Sequence, residues 1–100
     1  MKIKVPKQVK VSSMVYDVIL TDNLARDFHL LGQCLTDAGV IKIDPESSKQ
    51  VKAVTLLHEI IHAIHDVYNC GLEEKEIDRL AQGLADVLKN SFGVEFDWDI

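Results

Sequence analysis

Apolar and charged positions alternate along the first stretch of the chain. Ile3, Val5, Val9 and Val11 are interleaved with Lys4, Gln8 and Lys10. A period of two predicts a strand with one apolar and one charged face, and lysines on an outer face discourage unwanted edge pairing. Ser12 and Ser13 interrupt the pattern, and the β-branched and aromatic run Val15-Tyr16-Asp17-Val18-Ile19-Leu20 follows. A β-hairpin turning near Ser12 accounts for both segments. From Thr21 to Leu31 the pattern is ambiguous: Thr21 or Asp22 can cap a short helix through Leu24 and Phe28, ended by Gly32. A third strand is predicted at Val40-Ile41-Lys42-Ile43, after the turn signal Asp37-Ala38-Gly39.

The period then changes to that of a helix. Asp44-Pro45 is a helix start, with Asp as cap and Pro at the first helical position, and Ser47 with Gln50 is a competing capping box. Up to Tyr68, ten apolar residues between Val51 and Val67 cover most of the helix circumference, which predicts burial on several sides. Asn69-Cys70-Gly71 is a stop signal. A last helix runs from about Leu72 to Asn90, with Ile77, Leu80, Ala81, Leu84, Val87 and Leu88 as its core stripe. The tail from Val94 to Ile100 alternates and reads as a short strand or an ordered arm. The expected fold is α+β in one domain, 1–100. Residues 1–43 are mainly β, 44–92 form a helical hairpin and 93–100 a tail. An antiparallel or mixed sheet of about three strands packs on the hairpin.

Composition changes this picture little. A chain of 100 residues, 47% of them hydrophobic, is one domain with a small core. A net charge of −5 argues against a nucleic-acid partner, since phosphate binding needs a basic face. No apolar run reaches the roughly 18 residues of a membrane-spanning helix. The start, MKIKVPKQVKV, lacks the apolar stretch of a signal peptide. Cys34 and Cys70 are expected as free thiols.

Candidate chemistry sits in the first long helix. His58-Glu59-Ile60-Ile61-His62 is an H-E-x-x-H segment. Spacing of four puts both imidazoles on one helical face, one turn apart, where both reach a single Zn²⁺. Glu59 points to the side, where it can act as general base on an activated water. That chemistry is metal-assisted hydrolysis of a carbonyl, most often a peptide bond.

A hydrolytic zinc needs a third protein ligand. His65, Asp66, Glu73, Glu74, Glu76 and Asp78 are at hand. His65 lies seven residues from His58, about 10 Å along the helix, too far to share one ion, and Asp66 fails similarly. Glu73 lies at the margin of the last helix's inner stripe and Glu76 outside it, whereas Glu74 and Asp78 lie within it. In a hairpin turning near Cys70, Asp78 comes level with His62 and Glu74 with Asp66. Asp78 is then the simpler ligand, and Glu74 reaches with its longer side chain and a crossing angle. For polarising a carbonyl, Tyr16, Tyr68, His29 and His65 are the candidates.

Thr55-Leu56-Leu57-His58-Glu59-Ile60-Ile61-His62-Ala63, followed by Glu74-x-x-x-Asp78-Arg79-Leu80-Ala81, resembles the zincin metallopeptidases. Within them it is most similar to short phage and mobile-element relatives of the ImmA/IrrE group. The resemblance implies His58, His62 and Glu74 as zinc ligands, Glu59 as general base, and Asp78 orienting a histidine from behind. It implies an edge strand, Val40–Ile43, lying above the metal to pair with an extended substrate. It also implies a protein substrate and a cytoplasmic setting, in a bacterial or phage-infected cell. Members of that group are usually longer, so the resemblance equally allows a non-catalytic regulatory or interaction module on the same scaffold, with a regulatory protein as its partner.

Overall fold

The computed structural model describes Met1–Ile100. Pro6 breaks the first alternating run, because proline cannot donate to a strand ladder. The run therefore splits into β1 (Lys2–Lys4) and β2 (Gln8–Val11). Ser12, with φ of 55°, turns β2 into β3 (Met14–Leu20), and the expected hairpin pairs Val9 with Tyr16. A short helix, α1 (Leu24–Phe28), follows and ends at His29 in the left-handed region. Next come β4 (Gly32–Leu35) and β5 (Val40–Ile43), then α2 (Lys49–Tyr68), α3 (Glu74–Asn90) and β6 (Glu95–Asp97).

The fold is α+β, as expected, but with more strands than three. The main sheet has four strands in the order β2-β3-β5-β4, with β3 and β5 parallel and the outer pairs antiparallel. A second, two-stranded parallel sheet joins β1 to β6, so the tail is indeed a short strand. One face of the main sheet packs on α2. Val11, Tyr16, Val18, Ile41 and Ile43 from the sheet meet Leu56 and Ala63 from the helix, with Val5 completing the cluster.

Three expectations need correction. Val40–Ile43 is not an edge strand: β3 and β4 flank it on both sides, and the edge beside α2 is β4. The long helix does not start at Asp44. Asp44 is buried and accepts a hydrogen bond from the Glu46 amide at 3.0 Å, closing a local turn. Ser48 caps α2 instead, its Oγ accepting from the Val51 amide at 3.2 Å. The third correction concerns the predicted core stripe of α3, only part of which is covered. Ile77 and Ala81 are buried, while Leu80, Leu84 and Val87 are about half exposed. α2 is likewise open at Val51 and Ile64. No helix is long and apolar enough to cross a membrane. Both cysteines are free.

Candidate metal centre

The i, i+4 spacing on α2 stacks His58 above His62, with ring centroids 5.0 Å apart. His58, Glu59 and His62 each offer a ligand atom within 4.8 Å of the others, a group that could hold a metal ion.

α3 brings a carboxylate to the same place. Glu74 Oε1 lies 2.7 Å from His58 Nε2, and Oε2 lies 2.9 Å from His62 Nε2. Asp78 Oδ1 lies 3.6 Å from the other nitrogen of His58, Nδ1, and Gln82 Nε2 donates to Asp78 Oδ2 at 3.0 Å. This register differs from the expected one. Glu74, not Asp78, comes level with His62, because α3 starts at Glu74 and the connector 69–73 carries the chain back beside the last turn of α2. A tight turn at Cys70 would have used fewer residues.

The two helices therefore face each other along matched ridges. Gln50, Val54, His58 and His62 recur every fourth residue on α2, and Glu74, Asp78, Gln82 and Asp86 do so on α3. Both ridges line an open groove of about 700 Å³, with His29, Leu31 and Gly32 on its third side.

Glu59 is 7% exposed and opens onto that groove. No hydrogen bond compensates its burial. Desolvation pushes its carboxyl up from 4.5 to about 7; the nearby His58 lowers it and the Glu74 charge raises it further. β4 closes over it tightly. A Cβ on Gly32 would stand 2.5 Å from Thr55 Cγ2 and 3.0 Å from Glu59 Oε2, so this close approach requires glycine.

The other sequence candidates lie elsewhere. Glu73 and Glu76 form the capping box of α3, Glu76 Oε1 accepting from the Glu73 amide at 2.8 Å. His65 and Asp66 belong to a separate network. Thr36 Oγ1 donates to Asp66 Oδ2 at 2.5 Å, and His65 Nδ1 lies 3.3 Å from Asp66 Oδ1. The Thr36 hydroxyl, the His65 hydrogen bond and the charges of His65 and His62 hold the Asp66 carboxyl below its usual range against the opposing effect of burial. Tyr16 joins this network through Thr36 at 3.4 Å, and Tyr68 is exposed at the end of α2. Of the four groups considered for polarising a carbonyl, only His29 lines the groove.

The strand β4 is not among the elements that the sequence pattern predicts. Its signal was Gly32-Gln33-Cys34-Leu35 followed by the turn before β5, a hairpin pattern with one glycine at its start. Comparison with family models, curated proteins and solved structures returns no match to this chain.

Proposed function

We propose that this chain is a zinc-dependent hydrolase acting on polypeptides, a minimal relative of the zincin metallopeptidases. One observation carries the reading. A single carboxylate, Glu74, bridges the Nε2 atoms of two histidines one turn apart, beside Glu59, a largely buried carboxylate that opens onto the same groove. Two imidazoles and one carboxylate match the donor set of a catalytic zinc site that keeps an open position. His58, His62 and Glu74 would hold the ion. Asp78, facing Nδ1 of His58, would fix the tautomer that leaves Nε2 free to bind. When bound, zinc supplies Lewis acidity, which acidifies water and polarises a carbonyl.

The chain's own residues then divide the work. Glu59 takes one proton from the attacking water, whose oxygen bonds to the amide carbon. Glu59 returns that proton to the nitrogen as the C–N bond breaks, so one amide and one water give an acid and an amine. Its place on the groove beside His58 and His62 suits both halves of that exchange. β4 supports the substrate. In its register with β5, Leu31, Gln33 and Leu35 turn their backbone toward the neighbour, since the Asp44 amide donates to the Leu31 carbonyl at 2.9 Å. Gly32 and Cys34 then present their amides and carbonyls to the free edge, where an extended peptide can add as a strand.

The test is elemental analysis of the untagged protein and of His58→Ala, Glu74→Ala and Glu59→Gln. About one zinc per wild-type chain is expected, lost in His58→Ala and Glu74→Ala and kept in Glu59→Gln. Peptide hydrolysis by the wild type and none by Glu59→Gln completes it. No zinc in the wild type after reconstitution sinks the reading. A second reading, a non-catalytic interaction module with a protein partner, is favoured by the exposed Leu80, Leu84 and Val87 on α3. It requires that Glu59→Gln leave the biological output unchanged.

A further inference from the structure

Where α2 begins and α3 ends, a second cavity of about 420 Å³ adjoins the groove. Ala53 and Val54 of α2, Ala85 and Leu88 of α3, and Val94 and Phe96 of the tail form its walls. Its charged groups are Lys49, Asp86, Lys89 and Glu95, and Lys49 Nζ pairs with Glu95 Oε1 at 3.7 Å. The cavity is not separate from the groove: Gln50, Val54 and Asp86 line both. These three stand on the same matched ridges that carry His58 and Glu74.

We propose that this cavity is a selectivity pocket for one large apolar side chain, such as Leu, Phe or Met, of an extended polypeptide lying in the groove. The assignment rests on the hydrolase reading for its substrate, and on the cavity alone for its preference. Reach decides which side chain enters. Val54 lies four residues and Gln50 eight residues from His58, about 6 and 12 Å along the helix. An extended chain advances about 3.3 Å per residue, so the pocket receives the side chain two to four residues from the scissile bond. Small residues at Ala53 and Ala85 leave the space open, and apolar walls with charges around them suit an aliphatic or aromatic group over a charged one. The second sheet acquires a role here. β1 pairs with β6 through Ile3 and Phe96, and so holds the wall that the tail supplies.

Two measurements test this. The first is an amide NMR titration with N-acetyl-phenylalanine amide and, separately, N-acetyl-lysine amide, using wild type, Ala85→Phe and Ala53→Leu. Shifts at Ala53, Ala85, Gly93 and Val94 are expected with the phenylalanine probe only. They should disappear in whichever filled variant keeps a folded spectrum. Absence of those shifts in the wild type, or equal shifts with both probes, overturns the pocket whether or not the protein cleaves anything. The second is cleavage profiling of a peptide library by mass spectrometry with zinc-loaded protein. A preference of about tenfold or more for Leu, Phe or Met at one fixed position is expected, reduced in the filled variant while cleavage continues. Cleavage without that preference overturns the pocket and leaves the hydrolase reading intact. Probe binding without any cleavage overturns the hydrolase reading and leaves an apolar ligand pocket.

Discussion

Gly32→Ala tests whether β4 and α2 are packed as tightly as the geometry requires. The new Cβ would sit 2.5 Å from Thr55 Cγ2, 3.0 Å from Glu59 Oε2 and 3.2 Å from Glu59 Cγ. Carbon atoms prefer about 3.5–4.0 Å, so the contact with the buried Thr55 must be relieved by moving strand or helix. Overpacking of this kind costs about 1–3 kcal/mol. Against it stands about 0.4–1 kcal/mol gained because alanine restricts the unfolded chain. The net is a loss of about 1–2 kcal/mol, a fall in Tm of roughly 5–15 °C for a domain of this size. Gly32 does not adopt a positive φ, so backbone strain adds nothing and the cause is space alone. The control follows from that. Thr55→Ser removes the clashing methyl yet keeps the hydroxyl, which donates to the Val51 carbonyl at 2.7 Å. In that background Gly32→Ala should cost at least about 0.5 kcal/mol less. Thermal and urea melts of the four proteins, followed by circular dichroism, give Tm and free energies and close the cycle. An unchanged or raised Tm in Gly32→Ala, or the same cost in both backgrounds, refutes the packing argument.

Four further outcomes follow from the same geometry. In metal-free protein the raised pKa of Glu59 means the folded state holds its proton more tightly than the unfolded chain, so stability falls as pH rises from 4.5 through about 7. Glu59→Gln should therefore be more stable than wild type above pH 7, by at most about 3 kcal/mol, and equal to it near pH 4; chemical melts in EDTA at both pH values decide, and no gain at pH 8 refutes it. Glu74→Ala should abolish zinc binding while Asp78→Asn weakens it about 10–100-fold in a chelator competition, and the reverse order would make Asp78 the ligand. Burial pushes the Cys34 thiol up to about 11, so iodoacetamide at pH 8 should alkylate the exposed Cys70 at least about tenfold faster, a ranking that peptide mapping reads directly. Ser48→Ala should cost about 1 kcal/mol through loss of the α2 cap, whereas a null effect in thermal melts would return the helix start to the Asp44 region.

The shared face of His58 and His62 is legible because helical periodicity is local. Once α2 is a helix, residues 58 and 62 share a face whatever the rest of the chain does. The choice between Glu74 and Asp78 was not legible in the same way. It depends on how connector 69–73 runs back along α2, and five residues without periodicity carry no signal for a path. Strand β4 was hidden for a related reason. Its four residues are too few to establish alternation, and its pairing to β5 is decided across the turn. The half-exposed Leu80, Leu84 and Val87 mark another limit: periodicity identifies an apolar face of α3, not whether another element covers it.

Three polar residues are buried in this chain: Asp44, Thr55 and Glu59. Two are explained where they stand. Asp44 closes the turn before α2, and Thr55 returns its hydroxyl to the helix backbone. Glu59 makes neither kind of contact within the chain and opens instead onto the groove; desolvation and the nearby Glu74 charge make its ionised form less favourable. A leucine at this position would carry no such penalty. β4 also passes close over this side chain, although the contact that demands glycine at position 32 is chiefly the one with Thr55. Local rules are broken in this way where something other than folding sets the residue. An ion bound by His58, His62 and Glu74 would remove the penalty, because a cation next to Glu59 offsets the Glu74 charge and favours the ionised carboxylate. The cost of Glu59 in the empty chain and the role of base proposed for it are thus two consequences of a single placement.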